Sequence, residues 1–463
     1  MNQPERYDAI IIGAGQGGKP LATAMAKKGW KTAIIERKYV GGTCINYGCT
    51  PTKTLLASAQ AAFEARRAQT YGVETGPVRV DFKAVKARKD KVVESFRSSI
   101  ETAFEKTENL TLIYGEAYFT GPKQLAVKAN DGADNQLLTT EIIVIDCGSS
   151  PTVPQIPGLD SVPYLTSKTL LDLDELPDHL VIIGGGYISV EFSQMYRRFG
   201  AEVTLVVRGK HLLEREDEDV AAELTKILEA EGINVLLNTE VQQVRSTGSN
   251  ALEVLLDADD MAQVAGSHLL LGVGTTPNTA DLNLDAAGIV VDDQGFIKVN
   301  GKLETSQPGV YALGEIARSP AFTHISYDDF RILQQNLLEG GSATKAGRMV
   351  PYVVFTDPQL GRIGLSENEA KQQGRVVKVA SMPMTSVARA IETDHTQGLM
   401  KVLVDPQTGL ILGAAVLGME GGEVMTMLQL AIMGNLPYTR LRDAIFAHPT
   451  LAESLNNLFS KLE

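Results

Sequence analysis

Cysteine is scarce in this chain. Its 463 residues carry three, Cys44, Cys49 and Cys147. A secreted fold stapled by disulfides uses more of them in a smaller domain, so a disulfide scaffold is excluded. Histidine is scarce as well, at six. No second Cys or Cys/His pair is present to complete a zinc knuckle, and no metal site is expected. Positive charge is in deficit: 43 Lys and Arg against 56 Asp and Glu leave a net charge of -13. That balance disfavours nucleic acid and anionic membranes, which call for basic surfaces. No apolar run reaches about 18 residues, so no membrane-spanning helix is expected. The segment Met1–Asp8 lacks a charged-then-apolar leader pattern, and a cytoplasmic protein is the expectation.

The length suits about three domains of ~150 residues. An apolar run at 7–12 ends on Gly13, a helical pattern covers 16–29, and a second apolar run covers 31–36. This is the opening of a βαβ unit. Helical spacing returns at 52–69 and 82–108, and residues 139–146 read as a strand. Pro151, Pro154 and Pro157 then mark a domain crossing. The opening pattern recurs as a strand at 180–183, a glycine turn, a helix at 187–199 and a strand at 203–207. Two nucleotide-binding units are therefore expected. From about residue 349 the texture changes to strands at 350–355, 376–380, 398–404 and 411–416, with helices at 420–433 and 450–461. The expected class is α/β: two Rossmann-like nucleotide-binding domains and a C-terminal α+β domain.

The first glycine motif is Gly13-Ala14-Gly15-Gln16-Gly17-Gly18. Gly13 permits the turn, Gly15 lets a pyrophosphate approach the backbone, and Gly18 allows close helix–strand packing. Glu36 follows at the end of the second strand, where a ribose hydroxyl would meet it. The second motif is Gly184-Gly185-Gly186-Tyr187-Ile188-Ser189. Ser189 stands in the place of the third glycine, which predicts a wider helix–strand gap. Val207 occupies the acidic position, and the cations Arg208 and Lys210 follow. A missing carboxylate with a cation suits a 2′-phosphate, so NADPH is expected over NADH.

Cys44 and Cys49 are separated by four residues in Gly41-Gly42-Thr43-Cys44-Ile45-Asn46-Tyr47-Gly48-Cys49-Thr50-Pro51. A reversible dithiol beside a dinucleotide can pass electrons from a nucleotide cofactor to a thiol-reactive substrate. A helix starting near Cys49 is expected to lower its thiol pKa. Cys147 reads as a buried structural cysteine. Taken alone, Lys53, Glu191, His448 and Glu453 are ordinary helical charges and a structural histidine.

The segments 41–53, 184–191, Thr276-Pro277-Asn278, 311–315 and His448-Pro449-Thr450-Leu451-Ala452-Glu453 run through the whole chain in one order. Together they resemble the class I pyridine nucleotide-disulfide oxidoreductases, the family of lipoamide dehydrogenase, glutathione reductase and mercuric reductase. The segment 322–329 and the ending 453–459 are most similar to reactive-chlorine-resistance flavoreductases. The resemblance implies an FAD-binding part at 1–150 and 271–348, an NAD(P)H-binding domain at 151–270 and a dimerisation domain at 349–463. It implies FAD held by Gly13, Gly15, Gly18, Glu36, Gly42, Thr43, Lys53, Ala117, Gly148, Gly314 and Glu315. It implies NAD(P)H held by Gly184, Gly186, Tyr187, Ser189, Glu191, Arg208 and Gly274. In the implied mechanism Cys49 faces the flavin and Cys44 meets substrate. Lys53 and Glu191 form an ion pair beside the flavin, and Tyr187 covers the ring. His448 and Glu453 of one subunit complete the other subunit's site in a homodimer.

The chain departs from the family pattern at Glu315 (usually Asp), Thr275 (often Arg), Cys147 (usually Thr) and Ser189 (usually Gly). The cysteine-bearing tail of mercuric reductases is absent, so no mercury hand-off through a thiol tail is expected. The implied electron acceptor is a small disulfide or a soft metal ion, Cu(II) or Hg(II). Two other readings stay open from the sequence: an NAD(P)H oxidase or quinone diaphorase, and a catalytically impaired flavin-binding redox sensor.

Overall fold

A computed structural model describes residues 3–130, 132, 135–248, 251–257 and 262–462. Met1, Asn2 and Glu463, named in reading the two ends, lie outside the described residues. The chain gathers into two compact units, one of 1–54, 84–152 and 274–348, the other of 55–83, 153–273 and 349–463.

The first unit is built on β1 (Ala9–Ile12), α1 (Gly18–Lys27) and β2 (Thr32–Glu36), then the short α2 (Gly42–Asn46) and the start of α3 (Cys49–Arg67). All four residues of β1 are buried, as befits a strand covered on both faces of a parallel sheet. Strand β1 pairs in parallel with β2 on one side and with β3 (Ile142–Ile145) on the other. The strand Val310–Ala312 extends the sheet beyond β3. The sequence pattern did not reveal the long strand Leu110–Gly121. Its first half pairs in parallel with β2, and its second half turns into an antiparallel meander with Gln124–Ala129 and Gln136–Thr139. Its residues mix exposed, half-buried and buried positions, with Gly115, Ala117 and Phe119 buried, so no continuous apolar run announces it. One core cluster, with Ile10, Ile35, Phe119, Leu125 and Ile143 at its centre, fills one side of the sheet.

The second unit repeats the parallel motif with β4 (His179–Ile183), α4 (Tyr187–Phe199) and β5 (Glu202–Val206). Strands Asn234–Leu236, His268–Leu271 and Leu165–Thr166 complete a five-stranded parallel sheet. The C-terminal segment forms a five-stranded antiparallel sheet in the order 352–354, 359–364, 411–418, 399–404, 378–383. Helices Gly421–Met433 and Ser454–Ser460 supply residues to its core.

Candidate active site

The chain leaves β1 through Gly13 with φ +102, and a Cβ there would stand 2.3 Å from the Asp146 carbonyl oxygen. Only glycine takes that backbone without strain. Helix α1 therefore starts at Gly18, later than the pattern at 16–29 predicts, because Gly15–Gly17 are spent on the turn. The carboxylate of Glu36 is fixed at the end of β2. Its Oε2 accepts the Ala14 N–H at 3.1 Å and its Oε1 the Lys38 N–H at 2.9 Å. Each oxygen keeps a second lone pair for a ribose hydroxyl.

The cysteine segment is pressed against this loop. A Cβ on Gly42 would stand 2.8 Å from the Gly15 Cα, so two backbones meet where any side chain would part them. The Gly41 N–H donates to the Ala14 carbonyl at 2.8 Å, and the Gln16 amide donates to the Gly41 carbonyl at 2.9 Å. These contacts set Cys44, on α2, beside the dinucleotide loop.

Cys44 and Cys49 are free thiols in hydrogen-bonding contact, and the contact splits their proton affinities. Cys44 is driven well above the ordinary thiol range, first by its bond to Cys49 and then by burial. Cys49 is held below that range, first by the bond from Cys44 and against the opposing effect of burial. The Thr323 hydroxyl, 3.3 Å from the Cys49 Sγ, and the Lys53 ammonium act in the same direction. The start of α3 contributes only the Cys49 N–H, the smallest of these effects. The pair's lower member is thus set mainly by its partner thiol rather than by the helix end. The arrangement favours a thiolate on Cys49 and a protonated Cys44.

Sequence reasoning passed over Lys19, Asp146 and the role of Thr323. Lys19, half-buried on α1, lies close enough to Cys44 and Asp146 for both to favour its charge, against burial. Asp146 follows β3 and accepts the Gly18 N–H at 2.7 Å. A charged residue just past a buried strand, two positions before Gly148, was the available signal. No spacing rule joins Thr323 to Cys49. Cys147 is half-buried rather than buried, and its thiol donates to the Ile12 carbonyl at 3.5 Å. Burial pushes that thiol up, away from reactivity.

The other expected cofactor contacts in the first unit vary in character. The Gly314 N–H donates to Asp329 at 2.8 Å. Ala117 is buried within the core cluster, so only its backbone is open to a ligand. Two departures from the family pattern meet each other: the Thr275 hydroxyl donates to Glu315 at 2.8 Å. Gly148 and Gly274 are loop glycines, and Thr43 is exposed.

In the second unit Gly184 has φ +120 beside the Gly272 carbonyl, and Gly186 is the N-cap of α4. Ser189 is fully buried. A Cβ on residue 272 would stand 2.3 Å from its Oγ, so the glycine at 272 makes the room. Tyr187 is exposed at 39% on the first turn of α4. Arg208 is exposed two residues beyond β5, the position a 2′-phosphate would need. Glu191 is buried and accepts the Phe355 N–H at 2.9 Å. Lys53 belongs to the first unit and Glu191 to the second.

His448 also lies in the second unit, exposed, with its Nδ1 2.9 Å from Glu453. The carboxylate holds the ring with Nδ1–H donating, which leaves Nε2 to accept or deliver a proton. Elsewhere in that unit the carboxylates of Asp217, Asp219 and Glu367 converge. The Lys401 ammonium lies among them, 2.8 Å from Asp219 and 3.5 Å from Asp217, and offsets part of their charge.

Residues 7–329 match the family described as pyridine nucleotide-disulphide oxidoreductase, and residues 350–459 match its dimerisation domain. A probable pyridine nucleotide-disulfide oxidoreductase RclA of Escherichia coli K12 is 38% identical, over 98% of this chain and 99% of its own. A mercuric reductase of Streptomyces lividans is 34% identical, over 97% of this chain and 94% of its own. Among solved structures, the HOCl-induced flavoprotein disulfide reductase RclA from Escherichia coli superposes with a TM-score of 0.89 at 37% identity, covering 99% of this chain and 100% of that one. A Cu(II) complex of the same protein matches with a TM-score of 0.89 at 37% identity, over 99% of both chains.

Proposed function

The chain belongs to the pyridine nucleotide-disulphide oxidoreductase family, and from that premise we propose an FAD-dependent NADPH oxidoreductase that works through Cys44 and Cys49. Its acceptor is a disulfide or a soft metal ion, with Cu(II) favoured over Hg(II). The observation that carries the reading is the thiol pair in mutual contact, with unequal proton affinities, against the first glycine loop. FAD belongs at 1–150 and 271–348, NADPH at 151–270, and the dimer contact at 349–463. Exposed Leu430, Met433, Leu436 and Ile445 in the last segment support a homodimer, since apolar patches of that kind mark interfaces.

A bound flavin supplies the relay that takes two electrons from the nicotinamide and passes them to the disulfide. The Cys44–Cys49 bond would break as those electrons arrive, and one proton taken from solvent would leave Cys44 a thiol beside a Cys49 thiolate stabilised by Thr323 and Lys53. His448 of the partner subunit takes the Cys44 proton. The Cys44 thiolate then attacks a substrate disulfide, and His448 returns the proton to the departing sulfur. Cys49 attacks the mixed disulfide, releases the second thiol and re-forms the Cys44–Cys49 bond. With Cu(II) the balance differs: the dithiol re-forms its disulfide by giving one electron to each of two Cu(II) ions. A soft metal suits thiolate ligands, and the Cu(II) complex of the RclA relative favours copper. Glu453 orients the imidazole in either dimer-related site.

Proton delivery to a leaving group matters for a disulfide and not for a metal ion. His448→Ala is therefore expected to slow NADPH-driven disulfide reduction by about 10²–10⁴-fold while Cu(II) reduction stays near wild type. Steady-state NADPH oxidation against oxidised glutathione, lipoamide, Cu(II), Hg(II) and quinones reads this out. An unchanged disulfide rate would remove His448 from the mechanism.

The nucleotide preference rests on Arg208. Losing a charge-assisted hydrogen bond costs about 1.5–3 kcal/mol, so Arg208→Ala should raise the KM for NADPH by about tenfold or more. The KM for NADH should barely move. Equal effects on both would exclude the 2′-phosphate role.

A further inference from the structure

Asp146 has no part in the reaction described above, yet it sits inside the first glycine loop. Its Oδ2 accepts the Gly18 N–H at 2.7 Å. It thus holds one of the open amides at the N-terminus of α1, the group of donors that a dinucleotide pyrophosphate uses. The same oxygen lies 2.5 Å from where a Cβ on Gly15 would stand, and Oδ1 lies 3.4 Å from a Cβ position on Gly314. The carboxyl group is therefore lodged directly against the loop at Gly15 and Gly314. The residue is only 9% exposed.

Its charged surroundings are mostly anionic. Glu36 faces it from β2 and Asp329 from the helix Thr323–Leu338, while Lys19 of α1 is the cation near it. Arg348 bonds Asp329, 2.5 Å away. The Cys147 thiol is next along the chain and stays protonated. Burial first, with Asp329 and Glu36 acting in the same direction and the Gly18 and Gly17 amides opposing, pushes the Asp146 carboxyl up to about 8. A pyrophosphate arriving at the same helix end adds two more negative charges. An ionised carboxylate would repel it, whereas a protonated one offers an O–H to a phosphate oxygen.

We propose that Asp146 is a member of the FAD pyrophosphate cradle that works as a neutral acid, so that binding the cofactor fixes one proton and alkaline medium releases it. This rests on the assignment of FAD to the first unit. The balance is one proton: bound FAD pairs with the carboxyl form, and release of FAD above the carboxyl's midpoint frees H⁺ to solvent. The sign follows. Below about pH 8 the carboxyl is already protonated and the Kd for FAD is flat. Above it, each pH unit weakens binding by about tenfold, as one-proton linkage requires.

The test is equilibrium dialysis of the full-length holoenzyme, with FAD retained measured by its absorbance, through and beyond about pH 8. Wild type should show the break. Asp146→Asn, always neutral and still a donor, should bind as tightly as wild type at neutral pH and show no break. At two units above the break the variant should hold FAD by about 100-fold more than wild type. Parallel pH profiles for the two proteins would overturn the proposal. Should the variant fail to fold, proton release during FAD release from the wild type, followed with a pH-indicator dye, decides the matter. One proton per FAD above the break supports the proposal and none overturns it. A wild type that binds no flavin at any pH would instead sink the FAD assignment itself.

Discussion

Cys44→Ser should abolish acceptor turnover while leaving NADPH able to reduce the bound flavin. The serine hydroxyl cannot form the disulfide that carries two electrons, and removing a covalent participant of this kind costs about 10³-fold or more. Cys49→Ser should do the same to turnover, by removing the thiolate that Thr323 and Lys53 stabilise. The two variants differ in their thiols. After anaerobic reduction by NADPH, Cys44→Ser should retain a thiolate at neutral pH, because the serine hydroxyl donates in place of the Cys44 thiol and Thr323 and Lys53 still favour the Cys49 thiolate. Cys49→Ser should retain a protonated thiol, because Cys44 lies beside a hydroxyl and is half-buried. Ultraviolet thiolate absorbance separates them. Full acceptor turnover by Cys44→Ser would favour a flavin that meets substrate directly, as in an oxidase or diaphorase.

Gly13→Ala should empty the flavin site. The backbone there has φ +102, and the new Cβ would lie 2.3 Å from the Asp146 carbonyl oxygen. A left-handed residue costs about 1–2 kcal/mol, and forcing an atom into packed backbone costs about 1–3 kcal/mol. The sum, about 2–5 kcal/mol, corresponds to a loss of FAD affinity of about 30- to 5,000-fold, because relief of the clash requires the loop to move off β3. The variant should purify pale, with a flavin-to-protein ratio well below that of wild type and a lowered Tm. Added FAD should restore the Tm only partly. A stoichiometric yellow Gly13→Ala protein would show that this loop does not hold the dinucleotide.

Both glycine loops were readable in the chain because their geometry is local. Gly13 and Gly184 each end a buried strand, and the backbone torsion they need is written in the residue itself. The helix Tyr187–Phe199 falls where its pattern places it, since glycines bound it at both ends. Ser189 was expected to hold helix and strand apart. Gly272, which follows a different strand, leaves room for the Ser189 hydroxyl, a neighbour that no spacing along the chain announces. The meander after Leu110–Gly121 was missed because its strands are neither uniformly apolar nor cleanly alternating.

The dithiol spacing and the paired βαβ patterns, read along the chain, were enough to point to the pyridine nucleotide-disulphide oxidoreductase family. Which sulfur holds the proton was decided only in three dimensions. The Thr323 hydroxyl comes to Cys49 across 274 positions of sequence, and Asp146 meets Gly18 across 128. Backbone torsion depends on a residue and its neighbours in the chain. Proton affinity depends on burial and on whatever charges and donors the fold brings near, and no spacing along the chain encodes those.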